Sequence, residues 1–315
     1  MKHLGSLLCA TIMGGICAFD YLSGESTLQD LRDQVHLLSR SLVEWDRLAA
    51  AHPERSDLTV CLTSTPSRLP RIGPTLKSLL WQSPPPRRIR LHMPEYCLRE
   101  DRTYRIPPVF EGLGLLELVQ CPDHGPATKL LPALRDLGPT EPLVIVDDDK
   151  LFPIGFLADL SRWSRVYPDA ALGFGGKVVP RDLSDRRTTL WSNLRMAAPT
   201  PVLSVRIRQP RPVDVLMGTS GYLVRPGYFG PEIFDYSGAP KAARYVDDVW
   251  ISAHCRVPKY VVPSRRYCFK WWPDRRFFRA TSLGFLNNTG KAPEERHNSI
   301  VFRHFADRWM HSRAR

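Results

Sequence analysis

Hydrophobic positions in this chain fall into three regimes. They are almost continuous from Leu4 to Phe19, recur every three or four residues from Leu28 to Ala49, and from Leu58 onward come in short runs between polar turns. Extended to Leu22, the first run only just reaches the ~20 residues that a spanning helix needs. Gly14, Gly15 and Asp20 weaken it. Lys2 before it and Asp20, Glu25 and Asp30 after it favour an N-in, C-out signal anchor over residues 1–22, and so a single-pass type II membrane protein. Such a protein faces a Golgi or secretory lumen if eukaryotic, or sits on the inner membrane if bacterial. The rival is a cleaved signal peptide, although no clear A-x-A site follows.

The second regime, Leu28, Leu31, Val35, Leu38, Leu42, Trp45 and Ala49, is an a/d seam about three heptads long. It makes residues 23–55 a helical stem. Two readings stay open: a coiled coil that joins two copies as a homodimer, or an amphipathic helix lying on its own domain.

The third regime predicts a globular domain over 56–315. Leu58–Leu62, Ile89–Met93 and Leu115–Gln120 read as strands, and Leu69–Gln82 and Thr128–Leu137 as helices. Ser83-Pro84-Pro85-Pro86 stops the first helix, and Gly125-Pro126 opens the second. After the strand Leu143–Val146 come a helix over Gly155–Tyr167 and a strand over Ala171–Val179 with a weak point at Gly173–Gly176. A strand over Val213–Met217, a helix over Tyr245–Cys255, a strand over Tyr260–Pro263 and a helical tail over Val301–Arg313 follow. Asp182–Pro212, rich in Arg, Ser and Pro, reads as a long binding loop or lid. The alternation predicts an α/β fold with a mainly parallel sheet flanked by helices.

The chemistry concentrates where the Leu143–Val146 run ends in Asp147, Asp148 and Asp149. Three adjacent carboxylates repel one another, so a fold built only for stability would not gather them at a buried strand end. A hard divalent cation, Mg²⁺ or Mn²⁺, reverses that balance and takes the rest of its shell from water and phosphate. In an extended segment Asp147 and Asp149 point the same way. The net charge of +12 agrees with an anionic partner. Basic–aromatic interleaving and zinc spacings are missing, so no nucleic-acid partner is expected. The seven cysteines include no C-x-x-C pair.

V-D-D-D at a strand end, the earlier G-P-A-T-K, the later G-T-S-G-Y and then Y-V-D-D-V-W-I-S resemble, in order and spacing, the GT-A fold nucleotide-sugar glycosyltransferases of the D-x-D type, family 2-like or exostosin-like. The likeness runs from about Ser56 to Pro263. It implies a Rossmann-like GT-A domain with a nucleotide-binding half over 56–150, an acceptor half over 151–264 and a basic, aromatic extension over 265–315. It implies a nucleotide-sugar donor, UDP-sugars being favoured, and a glycan, glycolipid or glycoprotein acceptor. Asp149 would ligate the metal directly, Asp147 would reach the ribose or a metal-bound water, and Asp148 would rank third among the donor contacts. Thr63 and Arg68 would cradle the base or diphosphate, and Lys129 the nucleotide. Gly218–Tyr222 would line the acceptor side. Asp248 is the expected base of an inverting transfer, with Asp247 as helix cap or acceptor contact.

His297 and His304 stand where this fold often places a last metal ligand, but no motif aligns them. Trp271-Trp272 and Phe277-Phe278, among basic residues, suit sugar stacking or core packing equally. A nucleotidyl- or phosphotransferase using the same aspartates is the alternative enzyme, although no P-loop is present. A non-catalytic sugar- or polyanion-binding module is the alternative outside enzymes.

Overall fold

The computed structural model describes residues 2–288 and 290–310, with side chains over 11–285 and 290–310. An eight-stranded sheet carries the chain. Its strands are β1 (Thr59–Thr63), β2 (Arg88–Pro94), β3 (Leu116–Cys121), β4 (Leu143–Ile145), β5 (Ala171–Gly173), β6 (Arg211–Pro212), β7 (Tyr222–Val224) and β8 (Lys259–Val261), in the order β6-β8-β5-β7-β4-β1-β2-β3. The half formed by β4, β1, β2 and β3 is parallel throughout. β7 runs antiparallel between β4 and β5, and β6 runs antiparallel at the edge. The expected α/β class with a mainly parallel sheet is what the chain forms.

Side-chain alternation divides the core in two. Val60, Leu62 and Val144 face a layer containing α2 (Thr27–Leu38), α3 (Leu42–Ala50), α4 (Gly73–Leu80) and α6 (Phe156–Val166), where Leu37, Trp45, Leu79 and Leu160 are buried. Cys61, Leu143 and Ile145 face α5 (Leu131–Asp136), α7 (Asp247–His254) and α8 (His297–His304), with Leu131, Trp250 and Phe302. Every one of these strand residues is fully buried, as the uninterrupted apolar runs require.

Several expected elements differ. The helix over Leu69–Gln82 is a 3-10 turn, Leu69–Arg71, followed by α4. The Asp182–Pro212 loop holds a short helix, Leu190–Leu194, and the tail helix expected from Val301 is α8, ending at His304. The strand predicted over Ala171–Val179 is two strands: β5 in the main sheet, and Gly175–Lys177 in a small sheet with Val202–Leu203 and Val215–Leu216. Gly176 allows that switch, because a Cβ there would meet Val213 Cγ2 and Val215 O at 2.8 Å. The helix predicted over Thr128–Leu137 is a 3-10 turn, Gly125–Lys129, followed by the short α5.

Residues 23–55 are not a free-standing stem. The expected seam breaks between α2 and α3: Leu42, Trp45 and Ala49 are buried on the domain, while Leu28, Leu31, Val35 and Leu38 are exposed. The continuous coiled coil is thus replaced by two helices packed on their own domain, and a homodimer through that seam gains no support. Asp46 accepts from the Gly114 and Leu115 amides at 2.7 and 3.0 Å. In α2, Asp30 and Asp33 both bind the Arg266 guanidinium, and Gln34 Oε1 accepts from the Trp272 amide at 3.1 Å. This ties α2 to the strand Phe269–Lys270, which pairs antiparallel with Lys150–Leu151 directly after the triple aspartate.

Upstream, α1 covers Lys2–Ser23. Among the described residues no helix is long and apolar enough to cross a membrane, so the expected anchor over 1–22 finds no support there. Side chains up to residue 10 lie outside the described set. So do Thr289 of the sequon Asn287-Asn288-Thr289 and the expected tail beyond Met310.

The Asp30–Arg266–Asp33 cluster generates the first prediction. Removing the cation leaves two buried carboxylates facing each other, so Arg266→Met should cost roughly 3–5 kcal/mol of stability. Urea unfolding measures it; an unchanged midpoint would contradict the assignment.

Candidate active site

The candidate residues come from segments far apart in sequence, yet all eight line one cavity of about 530 Å³. Thr63, Arg68, Lys129, Asp147, Asp148, Asp149, Asp247 and Asp248 are its charged and polar floor. Met217 and Thr219 contribute one wall, and Ser282, Leu283 and Gly284 of the C-terminal extension another.

β4 ends at Ile145, and Asp148 and Asp149 form a turn into the strand Lys150–Leu151. Extended alternation therefore stops before the triad, and the aspartates turn to different cations instead of pairing as expected. The Asp147 amide donates to Gly218 O at 3.2 Å, and its Oδ1 lies 2.6 Å from Lys129 Nζ. Asp148 turns back toward the loop after β1. Its Oδ1 pairs with Arg68 at 2.5 Å, its Oδ2 accepts from Ser64 Oγ at 2.6 Å, and its main-chain oxygen accepts from Thr75 Oγ1 at 2.9 Å. Asp149 Oδ1 is 2.7 Å from Lys150 Nζ, with Arg68 at 3.6 Å from its Oδ2.

Lys129 is the hub. Its side chain is only 4% exposed, and its ammonium lies 2.6 Å from Asp147, 2.7 Å from Asp247 and 3.4 Å from Asp248. The sequence places it as a lysine at a helix start reaching for phosphate; the structure places it inside, joining the β4 end to the start of α7. Neither aspartate of α7 caps its helix, since Val246 holds the cap position and no side-chain cap bond forms. Of the two roles expected for Asp247, helix cap or acceptor contact, the cap is not formed; both carboxylates line the cavity and share one lysine. Asp248 Oδ1 also accepts from the Gly218 amide at 3.0 Å. Gly218 packs directly under the cluster: a Cβ there would overlap the Lys129 ammonium and meet Asp147 Oδ1 at 2.9 Å, so a larger residue would displace these side-chain ends.

The electrostatics follow from this crowding. Burial raises the Asp248 carboxyl to about 7; Lys129 opposes the shift, while Asp247 and Asp147 add to it. Burial likewise lifts Asp148 to about 6 against the Arg68 guanidinium. For Asp147, burial favours the neutral form, but Lys129 as charge and donor outweighs it and holds the carboxyl below its usual range. Burial also disfavours the charged lysine, yet the three carboxylates keep Lys129 protonated, its pKa raised well above the ordinary value.

Five carboxylates (Asp147, Asp148, Asp149, Asp247 and Asp248) thus meet three cations (Arg68, Lys129 and Lys150) in one ion-paired cluster, and Arg99, Asp123, Lys177 and Arg244 line the same cavity. Among the described residues no three His, Cys, Asp or Glu side chains converge tightly enough to hold a metal alone. Asp147 and Asp149 are each engaged by a lysine, Lys129 and Lys150, so a hard ion held by these two carboxylates would replace those contacts and take the rest of its shell from water and phosphate oxygens.

Thr63 Oγ1 donates to His92 O at 2.8 Å at the cavity edge. The Arg68 guanidinium also lies 4.9 Å from the Phe278 ring centroid, so the aromatic extension packs over this side of the cavity. His297 contacts Tyr245 and Lys291, and His304 packs edge-on against Phe305; neither lines the cavity. Sequence reasoning missed Ser64, Thr75 and Lys150. Lys150 was visible as the cation that ends D-D-D-K, whereas nothing in the sequence marks Thr75 as a partner of Asp148.

Lys129→Met tests the hub. It leaves three carboxylates without their shared cation, and should cost roughly 3–5 kcal/mol at neutral pH. Those carboxyls would have folded pKa values above their unfolded ones, so the loss should shrink as pH falls and they protonate. A loss that does not change with pH would contradict the cluster.

No protein-family profile and no curated protein matches this sequence. Similarity to solved structures is distant. Residues 1–349 of S. aureus TarS superpose with a TM-score of 0.43 and 15% identity, over 79% of this chain and 72% of that one. The same TarS portion in complex with UDP-GlcNAc gives 0.42 and 14%, over 80% and 72%. The Pyrobaculum calidifontis mannosyltransferase PcManGT, in complex with GDP-Man and Mn²⁺, gives 0.41 and 18%, over 84% of this chain and 78% of its own.

Proposed function

We propose that this chain is a glycosyltransferase that moves a sugar from a nucleotide-sugar donor to a hydroxyl acceptor on a glycan, glycolipid or glycoprotein, with inversion at the anomeric carbon. One observation carries the reading. Asp147 of a strand-end acidic triad and a second acidic pair, about 100 residues away in sequence, share a single buried lysine on the floor of a cavity large enough for a nucleotide sugar.

In this reading residues 56–150 form the donor half and 151–264 the acceptor half. Asp149 and Asp147 hold Mn²⁺ or Mg²⁺, which when bound supplies Lewis-acid stabilisation of the departing diphosphate. Arg68 and Thr63 lie on the nucleotide side, UDP being the favoured nucleotide. Asp248 takes the acceptor hydroxyl's proton on its carboxylate. The Gly218 amide and Lys129 fix the orientation of that carboxylate, and a pKa near 7 suits a base working close to neutral pH. Asp247 shares Lys129 and, by adding negative charge, helps keep Asp248 basic.

A base must be deprotonated to act, so the transfer rate should rise with pH through about 7 and level off above it. Asp248→Asn should remove that rise and lower kcat by about 10²–10⁴-fold. An active Asp248→Asn with the wild-type pH profile would exclude this base. Proton NMR of the first-formed product should show the anomer opposite to the donor's; retention would overturn inversion. The other product separates the reaction classes. Nucleoside diphosphate marks sugar transfer, whereas cleavage between the donor's two phosphates would mark a nucleotidyltransferase.

A further inference from the structure

The proposed chemistry leaves one segment unused. Between Asp185 and Asp214 the chain carries six arginines, Arg186, Arg187, Arg195, Arg206, Arg208 and Arg211, and no acid. On this basic stretch stands a short helix, Leu190–Leu194, closed at its start by reciprocal bonds between Thr189 and Ser192. The fold builds the helix and then turns its apolar residues outward: Leu190 is 65% exposed, Trp191 62% and Leu194 48%. The Arg195 guanidinium lies 4.2 Å from the Trp191 ring centroid, so charge and ring present one face.

This helix is fastened to the end of α1. Asn193 Nδ2 donates to Leu22 O at 3.1 Å, and Arg206 binds Asn193 while its guanidinium lies 4.5 Å from the Tyr21 ring centroid. Within α1, Phe19 and Tyr21 are themselves about half exposed. The junction is fixed from the other side too, because the Asp20 carboxylate accepts from the Thr27 amide and hydroxyl. Two separate pieces of chain thus present apolar and aromatic side chains beside Arg195 and Arg206, on a stretch that carries six arginines.

We propose that the Leu190–Leu194 helix, its flanking arginines and the end of α1 form one docking surface for an anionic phospholipid bilayer, with Trp191 at headgroup depth. The chemistry selects this partner. Tryptophan and tyrosine prefer the membrane interface, where an apolar body and a polar tip are both accommodated. Arginines beside them gain about 1 kcal/mol each from an anionic surface. A second copy of the chain would bring the same arginines against these and be repelled. A soluble polyanion would pair with the arginines but leave Leu190, Trp191 and Leu194 in water. The surface does not require α1 to span the bilayer, and it is independent of the glycosyltransferase reading.

Vesicle flotation of the full chain tests it, using phosphatidylcholine alone or mixed with phosphatidylglycerol. The wild type should float with the anionic vesicles more strongly than with the neutral ones. Arg187→Gln with Arg195→Gln should weaken anionic binding roughly 25-fold, on the scale of two surface arginines, and leave neutral binding unchanged. Trp191→Ser with Leu194→Ser should weaken binding to both. These positions are exposed, so folding is retained. In vesicles made with brominated lipid, the wild type should lose fluorescence that a Trp191→Phe chain does not lose. Three results would each overturn the proposal: equal flotation of all variants, no quenching specific to Trp191, or a wild-type dimer that Trp191→Ser with Leu194→Ser converts to monomer without altering flotation.

Discussion

A buried ammonium surrounded by three carboxylates is the interaction on which the rest of the site depends. Lys129 reaches the β4 end through Asp147 and the start of α7 through Asp247 and Asp248, so it joins the two faces of the cleft with one charge. One cation cannot neutralise three carboxylates. Burial therefore pushes Asp248 toward a neutral-range pKa, while Asp147, nearest the lysine, stays ionised. Gly218 completes the arrangement, because without a Cβ it leaves the lysine and carboxylate ends undisturbed beside its backbone.

Around this hub the chain invests in keeping the aspartate turn in place. Asp148 is held at three of its oxygens by Arg68, Ser64 and Thr75. Lys150, the next residue but one, begins the strand that pairs with Phe269–Lys270, and that segment is gripped in turn by Asp30, Asp33 and Gln34 of α2. The N-terminal helices are therefore part of the frame that positions the acidic turn. An isolated coiled-coil stem would have left Asp30 and Asp33 in water.

Much of this was legible in the sequence because it rests on short-range pattern. Val60–Leu62 and Leu143–Val146 show as unbroken apolar runs, which places β1 and β4, while β2 and β3 show as apolar residues interleaved with polar ones, and the acidic clusters advertise a cation. What was not legible depends on distant partners. β7 is only Tyr222–Val224, too short to stand out after G-T-S-G, and its place between β4 and β5 is set by tertiary packing. Lys129 read as a helix-start lysine reaching for the nucleotide, since no local signal reveals that Asp247 and Asp248 will fold onto it. The a/d seam over residues 28–49 followed true periodicity, but periodicity says only that a face is apolar and not what covers it. Leu42 and Trp45 found their own domain, while Leu28, Leu31, Val35 and Leu38 did not.

The central claim is that the acidic cavity takes a nucleoside diphosphate-sugar together with a divalent cation. The most direct measurement is thermal unfolding of the full chain against a panel of nucleotide sugars, each with Mn²⁺ and with EDTA. The account predicts that at least one diphosphate-sugar raises Tm with Mn²⁺ and loses that effect in EDTA, and that Asp149→Asn abolishes the effect. Stabilisation that persists in EDTA, or that no diphosphate-sugar produces while a nucleoside triphosphate does, would contradict it.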